Sequence, residues 1–404
     1  MFNERNIKGM KPDEVSAIIL SGGKSSRMGR DKTELTINGI TLTDIQAKKC
    51  RAIGIEDVIL AGYHGSIPGT RTIHDIIPGK GPLGGIHAGL TASENKACLV
   101  LSIDVPLVSP ETLKELIFAH SGGVTMLSNN GKAEPTISIF DSSLAETAGE
   151  ILKTEKTSVM KLTDVTDVKY YEYKGAEELL SNCNTPEDFQ NVLKSAEEIF
   201  SRQTQIKTFF GRKNSVSLVS FNGFKAVKKV FAYEEDLERE KQMYQKLAGL
   251  GCAPEYFPGA EKELYISYVH GYTFLELLER QEQQNYVDES LWRRLARIIT
   301  ETYRKTGAIY SDLNLRNFLY DEEKDRIFLI DLESFCKGNI EEKSAELCAF
   351  VLLYNPQNTE AKKQISKVMQ DQFCELLGCS ADKMKNETDK QIARILERRR
   401  LKNK

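Results

Sequence analysis

The 404-residue chain has no apolar run approaching the ~20 residues that a membrane-spanning helix needs, so a membrane span is not expected. The first residues, Met1-Phe2-Asn3-Glu4-Arg5, lack the apolar stretch of a signal peptide. The eight cysteines include no Cys-x-x-Cys pair. That argues against a zinc site or a disulfide framework, and for reduced, mostly buried thiols in a cytoplasmic protein. Net charge is only -3, which gives no global drive toward nucleic acid or acidic membranes. What is present, 40% hydrophobic and 28% charged residues, suffices for ordinary cores. The length suggests two or three domains.

Against this plain background one stretch stands out. The apolar run Val15-Ser16-Ala17-Ile18-Ile19-Leu20 leads straight into Ser21-Gly22-Gly23-Lys24-Ser25-Ser26-Arg27-Met28-Gly29-Arg30-Asp31-Lys32. A short buried strand ending in a glycine-rich loop lets backbone N–H groups approach an anion without a Cβ in the way. Lys24, Arg27, Arg30 and Lys32 add four positive charges within nine positions. A nucleotide triphosphate is the simplest polyanion to fit. The loop is not a P-loop, because Ile18 stands where that pattern needs glycine before Gly23-Lys24. Nor is it the dinucleotide fingerprint, which needs a third glycine after Gly22-Gly23.

The first half then alternates. A helix is expected near Thr43–Ile53, and a buried strand over Asp57-Val58-Ile59-Leu60-Ala61. Such alternation argues for a parallel sheet covered on both faces, with a ligand at the carboxyl ends of its strands. Asp75 precedes a cluster with four glycines in seven residues, Gly79-Lys80-Gly81-Pro82-Leu83-Gly84-Gly85. A helix starting there and running to about Ser93 would present N–H groups to a ligand. The run Cys98–Ile103 reads as a central strand with Asp104 at its end. A carboxylate there can hold Mg2+ against triphosphate oxygens. Ser109-Pro110-Glu111 and Thr185-Pro186-Glu187-Asp188 read as helix starts. The second follows Asn182-Cys183-Asn184, whose asparagines the helix does not explain. His64, His74 and His87 read as surface or packing residues.

Taken in order, Leu20–Lys32, Gly81-Pro82-Leu83-Gly84-Gly85, Ile103-Asp104-Val105-Pro106, Glu134-Pro135-Thr136 and Asn182–Asp188 resemble the molybdenum cofactor guanylyltransferase (MobA) family over about residues 13–195. The resemblance implies a Rossmann-like nucleotidyltransferase that joins GMP from GTP to molybdopterin and releases pyrophosphate. It implies a GTP cradle at Leu20, Ser21, Gly22 and Gly23, with Arg27 and Gly84 among the binding residues. It further implies that Lys32 neutralises phosphate charge, that Asp75 contacts GTP, that Asp104 binds Mg2+, and that Asn182 and Asn184 serve the molybdopterin side. Molybdoenzymes or cofactor-insertion proteins would be partners. The family often carries an asparagine after the second strand, where this chain has Ala61-Gly62-Tyr63-His64. That departure keeps CTP, or another phosphate acceptor, open as an alternative.

After Ser201-Arg202-Gln203-Thr204-Gln205 the character changes. Strands are expected over Val216–Phe221 and Phe224–Phe231 around an Asn222-Gly223 turn. The second holds Lys228, and a charged helix, Glu234–Leu247, follows. An apolar helical stretch, Leu291–Arg304, precedes Tyr310-Ser311-Asp312-Leu313-Asn314-Leu315-Arg316-Asn317. The strand Arg326–Ile330 then ends at Asp331. Asp312 and Asn317 lie five apart, as in an Asp-x-x-x-x-Asn catalytic loop, and the order lysine, helix glutamate, loop and aspartate matches a kinase set. Asp312-Leu313-Asn314-Leu315-Arg316-Asn317 and Leu329-Ile330-Asp331-Leu332-Glu333 resemble lipopolysaccharide/Kdo-type and other atypical small kinases over about residues 206–340. That implies ATP as substrate, with Lys228 on its phosphates and Glu240 paired to Lys228. It also implies Asp312 at the acceptor hydroxyl, with Asn317 and Asp331 on Mg2+. Tyr310 stands where the usual histidine would be, and Glu333 replaces the glycine of Asp-Phe-Gly.

The expected organisation is therefore an extension (1–14), an α/β nucleotidyltransferase domain with a mostly parallel sheet (15–199), a linker (200–205), and an α+β two-lobed kinase-like domain (206–404) whose acceptor is unknown. The alternative for the last is a non-catalytic module that binds nucleotide or a partner.

Overall fold

The computed structural model describes residues 9–22, 28–29, 31–154, 157–209, 213–221, 224–311 and 313–402. By internal packing the chain divides into two compact units. One is Met1–Ala232 with Glu255–Tyr268, and the other is Tyr233–Pro254 with Val269–Lys404.

The first unit opens on β1 (Val15–Leu20), buried along its whole length. A small hairpin, β2 (Thr36–Ile37) and β3 (Ile40–Thr41), leads into α1 (Leu42–Ile53). Thr41 caps this helix by accepting from the Asp44 N–H, and Gly54 ends it with φ 106°. β4 (Val58–Ala61), β5 (Arg71–Ile73), α2 (Pro82–Ala92) and β6 (Ala97–Ser102) follow. Then come α3 (Pro110–Ala119), β7 (Val124–Asn129), β8 (Lys132–Asp141), α4 (Ala145–Leu152), α5 (Met160–Thr163), β9 (Val168–Glu172) and α6 (Pro186–Ser201). Both expected helix starts carry their caps. Ser109 accepts from Thr112 N, while Thr185 and Asp188 form a reciprocal capping box.

The seven strands order as β5-β4-β1-β6-β8-β7-β9. β8 alone runs antiparallel to its neighbours, so the sheet is mostly parallel. From β1 the chain moves outward to β4 and β5, then returns to place β6 on the other side of β1. The carboxyl ends of β1 and β6 therefore meet where the strand order reverses, the usual place for a ligand crevice. Ile18, Leu20, Leu83, Ile86, Val100 and Phe140 are among the buried residues that pack α2 and the sheet into one core.

A second, antiparallel sheet belongs to the same unit. It contains β10 (Thr204–Phe209), β11 (Ser215–Phe221), β12 (Phe224–Val230), β13 (Tyr256–Pro258) and β14 (Glu263–Ser267), in the order β10-β11-β12-β14-β13. The expected linker 200–205 falls across the end of α6 and the start of β10. β10 is a strand that the sequence reading does not anticipate. Its first five residues are exposed, so no apolar alternation marks it. The Asn222-Gly223 turn lies outside the described residues.

Helix α1 packs against this second sheet. Arg51 forks onto Glu255, Nε to Oε1 at 2.7 Å and a terminal nitrogen to Oε2 at 3.2 Å. Lys48 lies 3.6 Å from Glu255 and 3.8 Å from the Tyr256 ring centroid. Ala52 touches the cluster of Val219, Phe224, Ala226, Phe257 and Tyr265.

The other unit begins with α7 (Glu234–Leu247) and continues through β15 (Tyr272–Thr273), α8 (Phe274–Gln283) and α9 (Glu289–Thr306). β16 (Ile309–Tyr310), β17 (Phe318–Asp321), β18 (Arg326–Leu329) and β19 (Phe335–Cys336) come next. Three helices follow: α10 (Ile340–Leu353), α11 (Glu360–Leu377) and α12 (Ala381–Lys402). β15, β17 and β18 form one small sheet, and β16 pairs with β19 in another. All eight cysteines are free. No helix among the described residues is long and apolar enough to cross a membrane.

Candidate functional site

At the end of β1 the backbone turns onto β4. The N–H groups of Ser21 and Gly22 both donate to Ala61 O, at 3.0 and 3.1 Å, and Ser21 Oγ donates to the same oxygen at 3.2 Å. The donors that the sequence reading offers to an anion at these two positions are thus used on the protein itself. Gly22 is glycine for a packing reason as well, since a Cβ there would lie 3.1 Å from Gly62 Cα. Gly62 has φ +77°, and a Cβ on it would reach within 2.7 Å of Gly22 Cα. No motif in the sequence marks Gly62, whose role comes from its close approach to Gly22. Gly23 and Arg27 lie outside the described residues.

The start of α2 closes one side. Gly84 and Gly85 are buried, and a Cβ on Gly84 would stand 3.0 Å from Asp75 Oδ2. One on Gly85 would stand 3.0 Å from Leu20 Cδ2. Asp75, Gly84 and Leu20 therefore gather at one place, with the Asp75 carboxylate beside the first turn of a helix. Burial pushes that carboxyl above its ordinary range, and the neighbouring His74 pulls it the other way. The His64 and His74 rings lie 6.2 Å apart at the ends of β4 and β5. His87 sits in α2, its Nδ1 buried with no hydrogen-bond partner among the described residues.

On the β6 side, Lys32 is the focus. It opens a short 3-10 turn, Lys32–Glu34, capped by Asp31, whose Oδ1 accepts from Thr33 N at 2.9 Å. Lys32 Nζ donates to Asp104 Oδ1 at 2.8 Å and to Asn184 Oδ1 at 2.9 Å. Three segments far apart in sequence thus converge on one ammonium. Asp104 N donates to Ser102 Oγ at 3.1 Å, and Asp104 O accepts from the Cys183 N–H at 2.8 Å. Asn182 is exposed in the same segment, while Cys183 is buried with its thiol pushed up to about 12, chiefly by burial. Asp104 Oδ2 has no donor among the described residues, and its side chain is 30% exposed. A carboxylate with one oxygen held and one open suits Mg2+, which takes one or two carboxylates and completes its shell with phosphate oxygens and water.

The residues expected to act in the second half are divided between the two units. In the second sheet, Lys228 Nζ pairs with Glu263 Oε1 at 2.5 Å. In the other unit, Glu240 of α7 is fully buried, and its carboxylate converges with Asp331 and Glu333, one ligand atom from each lying within 4.8 Å of the others. Asp331 adopts the left-handed conformation, φ 60° and ψ 55°, which costs a non-glycine residue roughly 1–3 kcal/mol and is common at functional turns. Asn317 ties to this turn through its backbone, accepting from Ile330 N at 2.9 Å. Tyr310 is buried and donates to Ile330 O at 2.8 Å, with its ring 4.2 Å from that of Phe335. Burial, then the Asp331 charge, pushes its hydroxyl well above the ordinary range. Tyr310 thus buttresses the Asp331 turn, a role that its departure from the histidine pattern does not signal. Asp312 lies outside the described residues.

Comparison with known proteins bears on the first half. A family model for the MobA-like NTP transferase domain matches residues 17–167. The probable molybdenum cofactor guanylyltransferase of Peptoclostridium acidaminophilum is 30% identical over 200 residues, which are 45% of this chain and 90% of that protein. The protein of the same description from Pelotomaculum thermopropionicum is 27% identical over 193 residues, 46% of this chain and 94% of its own. Among solved structures, molybdopterin-guanine dinucleotide biosynthesis protein A from Archaeoglobus fulgidus aligns with 24% identity and a TM-score of 0.37, over 46% of this chain and 99% of that one.

Proposed function

The chain belongs, through its first half, to the MobA-like NTP transferase family, and we propose that this half transfers GMP from GTP to molybdopterin. In this reaction a terminal phosphate oxygen of molybdopterin bonds to the α-phosphorus of GTP. The α–β bridging bond breaks, and its electron pair leaves with pyrophosphate. Such transfers rest on positioning and charge neutralisation, so no side-chain nucleophile is needed. The observation that carries the reading is the convergence of Lys32, Asp104 and Asn184 at the carboxyl ends of β1 and β6. Lys32 counters charge on the transferred phosphate. Asp104 and Asn184 hold the Lys32 ammonium in place, and Asn184 with Asn182 faces the acceptor. Leu20, Asp75 and Gly84 bound the nucleotide side. Mg2+, when bound at Asp104, would neutralise triphosphate charge.

Pyrophosphate release by the full chain, with GTP, CTP or UTP and molybdopterin, tests this. GTP should turn over fastest, and Lys32→Ala should lower kcat about 100- to 1,000-fold. Faster turnover with CTP would overturn the guanylyl assignment. That rival stays open because Ala61-Gly62-Tyr63-His64 stands where the family often has an asparagine after the second strand.

For the second half we propose an ATP-dependent phosphotransferase of kinase type with an unidentified acceptor. Its support is the order Lys228, Glu240, Asp312, Asn317 and Asp331, and the carboxylates gathered around Asp331. Asn317 and Asp331 would hold Mg2+. Equal ATP consumption by the full chain and its Asp312→Ala variant would leave this half as a binding module.

A further inference from the structure

The turn that carries Asp104 poses a hydrogen-bonding problem. β6 ends at Ser102, and the chain crosses the end of the sheet before α3. The carbonyls of Ser102, Val105 and Pro106 face the protein interior, where an unpaired carbonyl is costly. Two side chains one turn apart on α1 take all three. Gln46 is fully buried, and its Nε2 donates to Ser102 O at 2.8 Å and to Val105 O at 3.0 Å. Its Oε1 accepts from Lys49 Nζ at 3.0 Å, and Lys49 Nζ also donates to Pro106 O. Lys49 is 6% exposed. Residues 46 and 49 share a helix face, so one amide and one amine bracket Asp104 from both sides in sequence.

Burying a lysine and a glutamine costs more than burying leucine or methionine of similar volume. The polar pair therefore does not serve packing alone. It fixes the path of three carbonyls, and with it the direction in which the Asp104 carboxylate leaves the turn. The opposite side is fixed separately, by Ile103 N on Leu20 O at 3.3 Å and by Cys183 N on Asp104 O. We propose that Gln46 and Lys49 are positioning residues that set the Asp104 carboxylate for its divalent cation, without touching nucleotide or acceptor. This rests on reading the first half as a nucleotidyltransferase.

The test is Mn2+ binding to the full chain in the presence of GTP, followed by electron paramagnetic resonance, alongside GTP affinity without metal. Gln46→Met and Lys49→Met should each weaken Mn2+ binding about 10- to 100-fold, as loss of outer supporting groups does at metal sites. Metal-free GTP affinity should stay within about twofold. Ser16→Ala is the control for a merely structural loss. Ser16 is buried at the far end of β1, bonded to Asp57 Oδ2 at 2.6 Å, and its loss should lower stability and leave Mn2+ binding unchanged. Unchanged Mn2+ binding in both α1 variants overturns the proposal and leaves the transferase reading standing. A matching loss in Ser16→Ala overturns it too, by making the effect one of stability. Absence of Mn2+ binding with GTP in the unaltered chain overturns the transferase reading, and this proposal with it.

Discussion

Replacing Gly62 by alanine should disturb the proposed nucleotide site. Two separate costs follow from the geometry. At φ +77° an added Cβ meets its own backbone, a penalty of roughly 1–2 kcal/mol. The Cβ would also lie 2.7 Å from Gly22 Cα and 3.0 Å from Gly22 N, the first short of ordinary contact by about 0.7 Å. Both atoms are backbone, so no rotamer change relieves them, and overpacking of this kind costs about 1–3 kcal/mol more. The relief available is a shift of residues 20–22 away from β4, which stretches the bonds from Ser21 and Gly22 to Ala61 O. A displacement approaching 1 Å at a reacting site can cost about 100-fold in rate. Gly39→Ala supplies the reference, because Gly39 has φ +80° with nothing within 4 Å of its Cβ position. Urea unfolding of the two variants gives the contact cost by difference, and pyrophosphate release from GTP gives the functional one. If Gly62→Ala is no less stable than Gly39→Ala and keeps its rate, the close approach of these two glycine segments does not shape the site.

Lys49 makes stability depend on pH. Burial pushes it from an ordinary 10.5 down to about 7, so between those values the unfolded chain holds a proton that the folded one lacks, and stability rises with pH by up to about 1.4 kcal/mol per unit. Above about pH 9 the buried thiols of Cys50 and Cys98, pushed up to about 12 and about 11, work in the opposite direction. Denaturant titrations from pH 7 to 9 should therefore show a positive slope that Lys49→Met flattens; an equal slope in both would refute the assignment. In the other unit, Trp292 Nε1 donates to Gln281 Oε1 at 2.9 Å in the core, and Asp288 N shares that acceptor at 3.3 Å. Gln281→Leu should cost about 1–3 kcal/mol in unfolding free energy, and an unchanged melting curve would count against it.

Much of the first half was legible because its signals are local. The strand over residues 15–20 is apolar throughout, and Ser109-Pro110 and Thr185-Pro186 mark helix starts by cap chemistry that needs no tertiary partner. The strands over 216–221 and 224–230, and the helix over 234–247, were equally readable. What stayed hidden depends on what packs where. In α1, Gln46, Lys48 and Lys49 look like a solvated face, yet all three are buried because the helix has the Asp104 turn on one side and a second sheet on the other. Gly22 looked like an anion cradle, and its closeness to Gly62 depends on the pairing of β1 with β4. β10 was missed because its polar residues give no period at all.

The burial of α1 on two sides has a practical consequence for anyone dissecting the protein. A fragment ending at residue 199 would contain every transferase motif and still be cut through an interface. Lys48 and Arg51 would lose Glu255, and Ala52 would lose its apolar neighbours on the second sheet. The boundary that the motifs mark, near residue 199, and the boundary of the compact unit that holds them are different lines, because the second sheet, through Ser267, belongs to that same unit.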